Sequence, residues 1–112
     1  MQPELLKYFL DIESVIKEIE VVKARAQNHL LVFQADIILQ RAIERDLEII
    51  GEAVKKIIEL RPDIRITSAR KMIGLRNIIS HAYDSVEAEL TWSIIKKDIP
   101  ILSGEIERLR QA

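Results

Sequence analysis

Apolar residues recur at steps of four and three through the first segment: Leu5, Phe9, Ile12, Ile16 and Ile19, with Glu4, Lys7, Asp11, Lys17, Glu18 and Glu20 elsewhere. That spacing returns to one face of an α-helix and predicts one from about Pro3 to about Ala24. Pro3 suits a first helical turn, where its missing N–H would have no intrahelical partner. The pattern blurs across "ARAQNHLL", which reads as the first turn. A longer stripe follows: Leu39, Ile43, Leu47, Ile50, Val54 and Ile57, widened by Ile38, Ala42, Ile49, Ala53 and Ile58. So wide a face implies contact with more than one neighbour.

On that second long segment Arg41, Arg45, Glu48 and Glu52 form a separate polar row at the same spacing. The plain reading is a solvated face with opposite-charge pairs, worth a few tenths of a kcal/mol each. The sharper one is a polar seam supporting a site on the next helix. Gly51 lies mid-helix, where glycine costs roughly 1 kcal/mol against alanine, so it implies a close helix crossing. "RPDIRITS" ends the segment, because Pro62 cannot continue it and Thr67 or Ser68 can cap the next. A third helix, about 68 to 82, buries Met72, Leu75 and Ile79, with Ile73 adjacent. "YDSVE" breaks it. Asp84 or Ser85 can then cap a last segment, with Glu87 in its first turn where the helix dipole favours negative charge. Leu90 and Ile94 open that segment; Ile95, Ile99, Leu102, Ile106 and Leu109 continue it. Pro100 is expected to kink or divide it near 98–100. No run alternates with period two. The expected fold is all-α, four long helices or five, in an antiparallel bundle.

Composition narrows the class. At 112 residues, with 48% hydrophobic and 31% charged residues, the chain fits one domain, 1–112. Cysteine is absent, so disulfides and thiolate metal sites are excluded and a reducing cytoplasm is the natural setting. The N-terminus lacks the basic and apolar regions of a signal peptide, and no apolar run approaches a membrane span. The net charge of −1 argues against binding nucleic acid over the whole surface. Charge is uneven, however: between Arg61 and His81 five basic residues stand against Asp63 alone, giving +4. Within that cluster Arg70 and Lys71 are the candidates for contacting a phosphate backbone.

That basic stretch contains "GLRNIISHAYDSV", with Arg76, His81 and Tyr83 in a chain of two histidines and two tyrosines. Metal chemistry has little support, since His29 and His81 are far apart and no His-Glu-x-x-His or Glu-x-x-His pair exists. No cofactor-binding motif occurs: Gly51, Gly74 and Gly104 each stand alone, so there is no glycine loop for phosphate, and no nucleophile turn is present. Metal-free RNA cleavage needs an acid or base titrating near neutral pH and a fixed cation at the phosphate, and His81 and Arg76 are those types. Five residues along a regular helix turn the side chain by about 140°, so the two converge only if the helix frays near Ser80 or if two copies of the chain share one site. Spacing alone does not separate an active site from a capped helix end.

The segment "RNIISHAY" has the form Arg-polar-x-x-x-His-x-Tyr and resembles the signature of HepT-type toxins of the HEPN superfamily. "RDLEIIGEAVKKI" is similar to the second-helix block of that family, and "GLRNIISHAYDSVEAELTWSIIKKDIPIL" to its motif helix and the helix after it. The likeness covers about residues 36 to 110, and the first helix matches in character only. It implies an up-and-down bundle of four to five helices forming a two-fold homodimer, and a metal-independent endoribonuclease partnered by a nucleotidyltransferase antitoxin of the MntA type. By position, Arg76 and His81 would be catalytic and Asn77 would help hold the site. Tyr83 would accept AMP from the antitoxin, which puts charge and bulk where substrate phosphate must sit. The alternative is a non-catalytic helical module that docks a nucleotidyltransferase or binds nucleotides.

Overall fold

A computed structural model describes residues 1–81 and 86–112. Its elements are α1 (Pro3–Arg25), α2 (Leu30–Gln34), α3 (Ile37–Leu60), α4 (Ala69–His81) and α5 (Ala88–Gln111). The apolar stripes become the core: Leu5, Phe9, Ile12, Ile16 and Ile19 of α1 are buried against Leu39, Ile43, Leu47, Ile50, Val54 and Ile57 of α3. From α5, Ile94, Ile95, Ile99, Leu102 and Ile106 close the same core. Ile38 and Leu90 fall outside it, 72% and 46% exposed.

The long helices run up and down, because contacts between neighbours pair rising with falling residue numbers. Glu48 reaches Ser80 and Glu52 reaches Arg76 between α3 and α4. Between α1 and α5, Glu13 meets Arg110 at 2.8 Å, while Asn28, just past α1, receives Lys96. Between α4 and α5, Lys71 meets Asp98 at 3.2 Å, and Glu105 accepts the Thr67 hydroxyl at 2.7 Å. No helix of the described residues is long and apolar enough to cross a membrane.

Three local outcomes differ from the periodicity. The first turn is real but contains a further helix. Gln27 and Asn28 adopt φ of 56° and 52°, a left-handed conformation that ends α1, and His29 then caps α2 by accepting the Leu31 N–H on Nδ1 at 3.2 Å. Asp36 caps α3 by accepting the amides of Ile38 and Leu39 at 3.0 and 3.2 Å. The short α2 exists to seat Phe33, fully buried with its ring 5.1 Å from that of Trp92.

Pro100 does not divide α5, which is continuous through it. Pro100 and Lys96, whose carbonyl loses that amide donor, are both exposed residues, which places the lost bond on the solvent side of the helix. Ser68 does precede α4, and its carbonyl accepts the Met72 N–H at 2.8 Å. Its hydroxyl, however, is buried without a hydrogen-bond partner among the described residues, and Thr67 is turned to Glu105. Glu87 precedes α5 rather than joining its first turn, which carries Glu89. The expected caps Asp84 and Ser85 lie outside the described residues.

Candidate active site

The crossing of α3 and α4 is set by Gly51. A Cβ built there would lie 2.5 Å from the Arg76 Cβ and 2.6 Å from the Met72 carbonyl oxygen. Only hydrogen fits in that space. The close approach brings the polar row of α3 onto α4, where Arg76 Nη2 stands 3.0 Å from Glu52 Oε2. This is a charge contact rather than an aligned hydrogen bond, since Glu52 Oε2 receives none among the described residues. Arg76 Nη1 donates to Asn77 Oδ1 at 2.9 Å, fixing the other arm of the guanidinium.

One turn further along α4, the Ser80 hydroxyl donates to Glu48 Oε2 at 2.6 Å, and Glu48 Oε1 accepts Arg45 Nη1 at 3.0 Å. The Ser80 bond is the main reason the Glu48 carboxyl sits below its usual range; burial opposes it, and Arg45 and Arg76 reinforce it. The sharper reading of the polar row therefore describes the contacts: Glu48 and Glu52 face the motif helix instead of pairing only along their own.

α4 remains helical through His81, so fraying near Ser80 does not bring His81 round to Arg76. Arg76 is turned to α3. His81 is exposed, and Ile78, three residues before it and on the same outward face, is 57% exposed. Within one chain the arginine and histidine thus point to different sides of the helix. Tyr83 lies outside the described residues.

Folding also changes the local charge. Arg61 makes a fork to Asp63 at 3.0 and 2.8 Å, Lys71 is held by Asp98 from α5, and Arg76 by Glu52 from α3. Two of those acids come from distant sequence, so the +4 segment is less basic in space than in line. Of the two expected backbone-contacting residues, Lys71 is tied to α5, whereas Arg70 is exposed and makes no ion pair among the described residues.

Periodicity did not single out the contribution of α1. Lys7, Tyr8 and Asp11 join Arg45, Glu48, Glu52 and Arg76 around a cavity of about 290 Å3. Lys7 Nζ stands 2.7 Å from Asp11 and 4.8 Å from the Tyr8 ring centroid. On a helical wheel these residues are an ordinary polar edge; the one available signal was an aromatic residue set among charges.

An up-and-down helical bundle carrying Arg-Asn-x-x-x-His on its fourth helix is of the HEPN class. The chain belongs to the ribonuclease HepT-like family, which matches residues 12–109. The match extends into α1, further than the motif blocks reach. Among curated relatives, a "Probable ribonuclease HepT" of Thermococcus cleftensis is 41% identical over 83 residues, covering 70% of this chain and 73% of that protein. A "Putative RNase" of Caldanaerobacter subterraneus subsp. tengcongensis is 32% identical over 102 residues, 89% of this chain and 91% of that one. No solved structure matches the chain.

Proposed function

We propose that this chain is a metal-independent endoribonuclease, the toxin of a pair whose antitoxin is a nucleotidyltransferase of the MntA type. The observation that carries the reading is the placement of Arg76, held by Glu52 and Asn77 at the α3–α4 crossing, with His81 exposed on the same helix. Membership of a ribonuclease family supports it. Arg76 and His81 are the catalytic pair and Asn77 the residue that orients the arginine.

In the reaction a histidine base takes the proton of a ribose 2′-OH, and the 2′-oxygen attacks the adjacent phosphorus. The bond to the 5′-oxygen breaks, and that oxygen receives a proton from the acid. The products are a 2′,3′-cyclic phosphate and a free 5′-OH. Arg76 stabilises the extra negative charge on the phosphoryl oxygens of the transition state. Arg70 and Lys71, near the start of α4, guide the RNA backbone toward the site.

A two-fold homodimer supplies what one chain lacks. Ile78 on the His81 face gives a second copy an apolar contact, and its symmetry mate brings a second histidine, so one acts as base and the other as acid. Tyr83, two residues beyond His81, accepts AMP from the antitoxin; the added phosphate charge repels substrate. The protein works in the cytoplasm, where its RNA substrates are, and further assembly forms with the antitoxin.

One observation favours the non-catalytic alternative, a module that docks a nucleotidyltransferase or binds nucleotides: the charge of Arg76 is already met by Glu52 within the chain. Whether the purified chain cuts RNA at all separates the two, and RNA carrying a single 2′-deoxynucleotide at a mapped cleavage position then tests the mechanism. The endoribonuclease reading expects that position to become resistant while neighbouring cuts persist, with cyclic phosphate on the remaining products. Cleavage at the deoxy position at an unchanged rate contradicts 2′-OH attack.

A further inference from the structure

We propose that Ser80 and Glu48 form a latch that positions His81 by holding the last turn of α4 on α3. The inference rests on the ribonuclease reading of the same helix and deepens it by naming the pair that sets where its histidine stands.

The need for a latch follows from how α4 is packed. Its buried residues are Met72 and Leu75, both before Arg76. Beyond Arg76, Ile79 alone is partly buried against the core, and Asn77, Ile78, Ser80 and His81 are exposed. The final turn of a helix also leaves carbonyls without intrahelical partners, so such ends fray unless something outside the helix holds them. Apolar packing does little of that here. Among the described residues, two polar contacts join α4 to α3: Arg76 with Glu52, and Ser80 with Glu48. The first lies more than a turn back from His81. The second is at its immediate neighbour in the chain.

The geometry of that second contact suits the task. A serine hydroxyl inside a helix commonly turns back to the carbonyl four residues earlier. Ser80 instead donates to Glu48 Oε2, on another helix, at 2.6 Å. Such a short bond to a charged acceptor belongs to the strong class of hydrogen bonds. Glu48 is itself fixed, because its side chain is 25% exposed and Arg45 Nη1 donates to its Oε1 at 3.0 Å. The Ser80 hydroxyl, more than any other neighbour, holds the Glu48 carboxyl below its usual range. It is therefore an ionised acceptor throughout the neutral window in which a histidine works. Both residues act through His81 rather than on the substrate.

The test reads the latch twice, once without RNA and once with it. Protection of backbone amides against hydrogen exchange, followed by NMR on the full chain, should fall about tenfold at residues 79–81 in Ser80→Ala, with Met72 and Leu75 unchanged. Alanine is the better helix former, so propensity alone would move protection the other way. In RNA cleavage, Ser80→Ala should lose about ten- to a hundredfold in kcat with KM within about threefold, because a displaced catalytic group slows the chemistry while phosphate contacts persist. Ser80→Thr keeps the hydroxyl and should stay within about threefold of wild type in kcat. In a Glu48→Ala background the Ser80→Ala change should cost less than about twofold, since the link is already broken. Unchanged protection in Ser80→Ala, or a kcat within about threefold of wild type, overturns the latch. So does an equal loss with and without Glu48. Lost protection in Ser80→Ala with no cutting by the wild type would leave the latch standing and sink the ribonuclease reading.

Discussion

Replacing Gly51 by alanine tests the geometry on which the site depends. In an exposed helix the change would help, since alanine is favoured over glycine by roughly 1 kcal/mol. Here the new methyl would stand 2.5 Å from the Arg76 Cβ and 2.6 Å from the Met72 carbonyl oxygen. Neither obstacle can rotate away, because one is backbone and the other is the first atom of a side chain. Ordinary contact begins at 3.4 Å, so α4 must withdraw by about 0.9 Å, loosening buried Met72 and Leu75. Overpacking of this kind costs about 1–3 kcal/mol. With the helix-propensity gain of roughly 1 kcal/mol subtracted, a net destabilisation of up to about 2 kcal/mol is expected. At about 4–8 °C per kcal/mol for a small domain, Tm should fall by up to roughly 15 °C.

The assay is thermal and urea unfolding followed by circular dichroism, with Gly104→Ala as control. A Cβ at Gly104 would meet only the far end of Arg108 at 3.5 Å, so that variant should be unchanged or gain up to about 1 kcal/mol. Cleavage by Gly51→Ala, assayed well below its Tm, should fall as well, because a displacement near 1 Å at a catalytic group can cost about a hundredfold. A Gly51→Ala protein as stable as Gly104→Ala would refute the close crossing.

Other perturbations have equally definite outcomes. Burial, with the Glu18 carboxylate beside it, pushes Asp46 up to about 7 from the ordinary 3.8. The folded chain therefore keeps a proton that the unfolded chain loses, and this contribution to stability falls as pH rises from about 4 to about 7. The Tm of Asp46→Asn relative to wild type should climb across that window; a difference independent of pH would contradict it. Arg76→Lys should retain the fold but recover little of the activity lost in Arg76→Ala, since lysine cannot offer the bidentate fork; full activity in Arg76→Ala would remove Arg76 from the site, and full activity in Arg76→Lys would refute the bidentate contact. Tyr83→Phe should remain toxic and escape modification, read by intact mass after incubation with antitoxin and ATP. Complete silencing with a mass gain of one AMP would place the acceptor elsewhere.

The long helices and nearly all of the core were legible because a stripe repeating over about five turns, such as Leu39 to Ile57, has a single helical interpretation. α2 was not, since five residues are too few for a period to emerge and its caps, His29 and Asp36, act through turn geometry. Pro100 misled for a physical reason: the rule penalises a lost amide inside a helix, but on a solvent-facing turn water satisfies the carbonyl left over. At the site, Arg76, Asn77 and His81 are legible as a motif, and Gly51 as a crossing. Their setting was partly hidden. Glu48 and Glu52 fit an ordinary charged face equally well until α4 is laid across them, and Lys7 and Tyr8 meet Arg76 only through the packing of α1 on α3.

The most direct test of the central claim is cleavage of a mixed RNA pool in EDTA by wild type and His81→Ala, purified in parallel with matched circular dichroism spectra and oligomeric state. Cutting by the wild type alone, leaving cyclic-phosphate ends, is the predicted result. Equal cutting by both proteins would contradict the assignment of His81, and no cutting by unmodified wild type would contradict ribonuclease function itself.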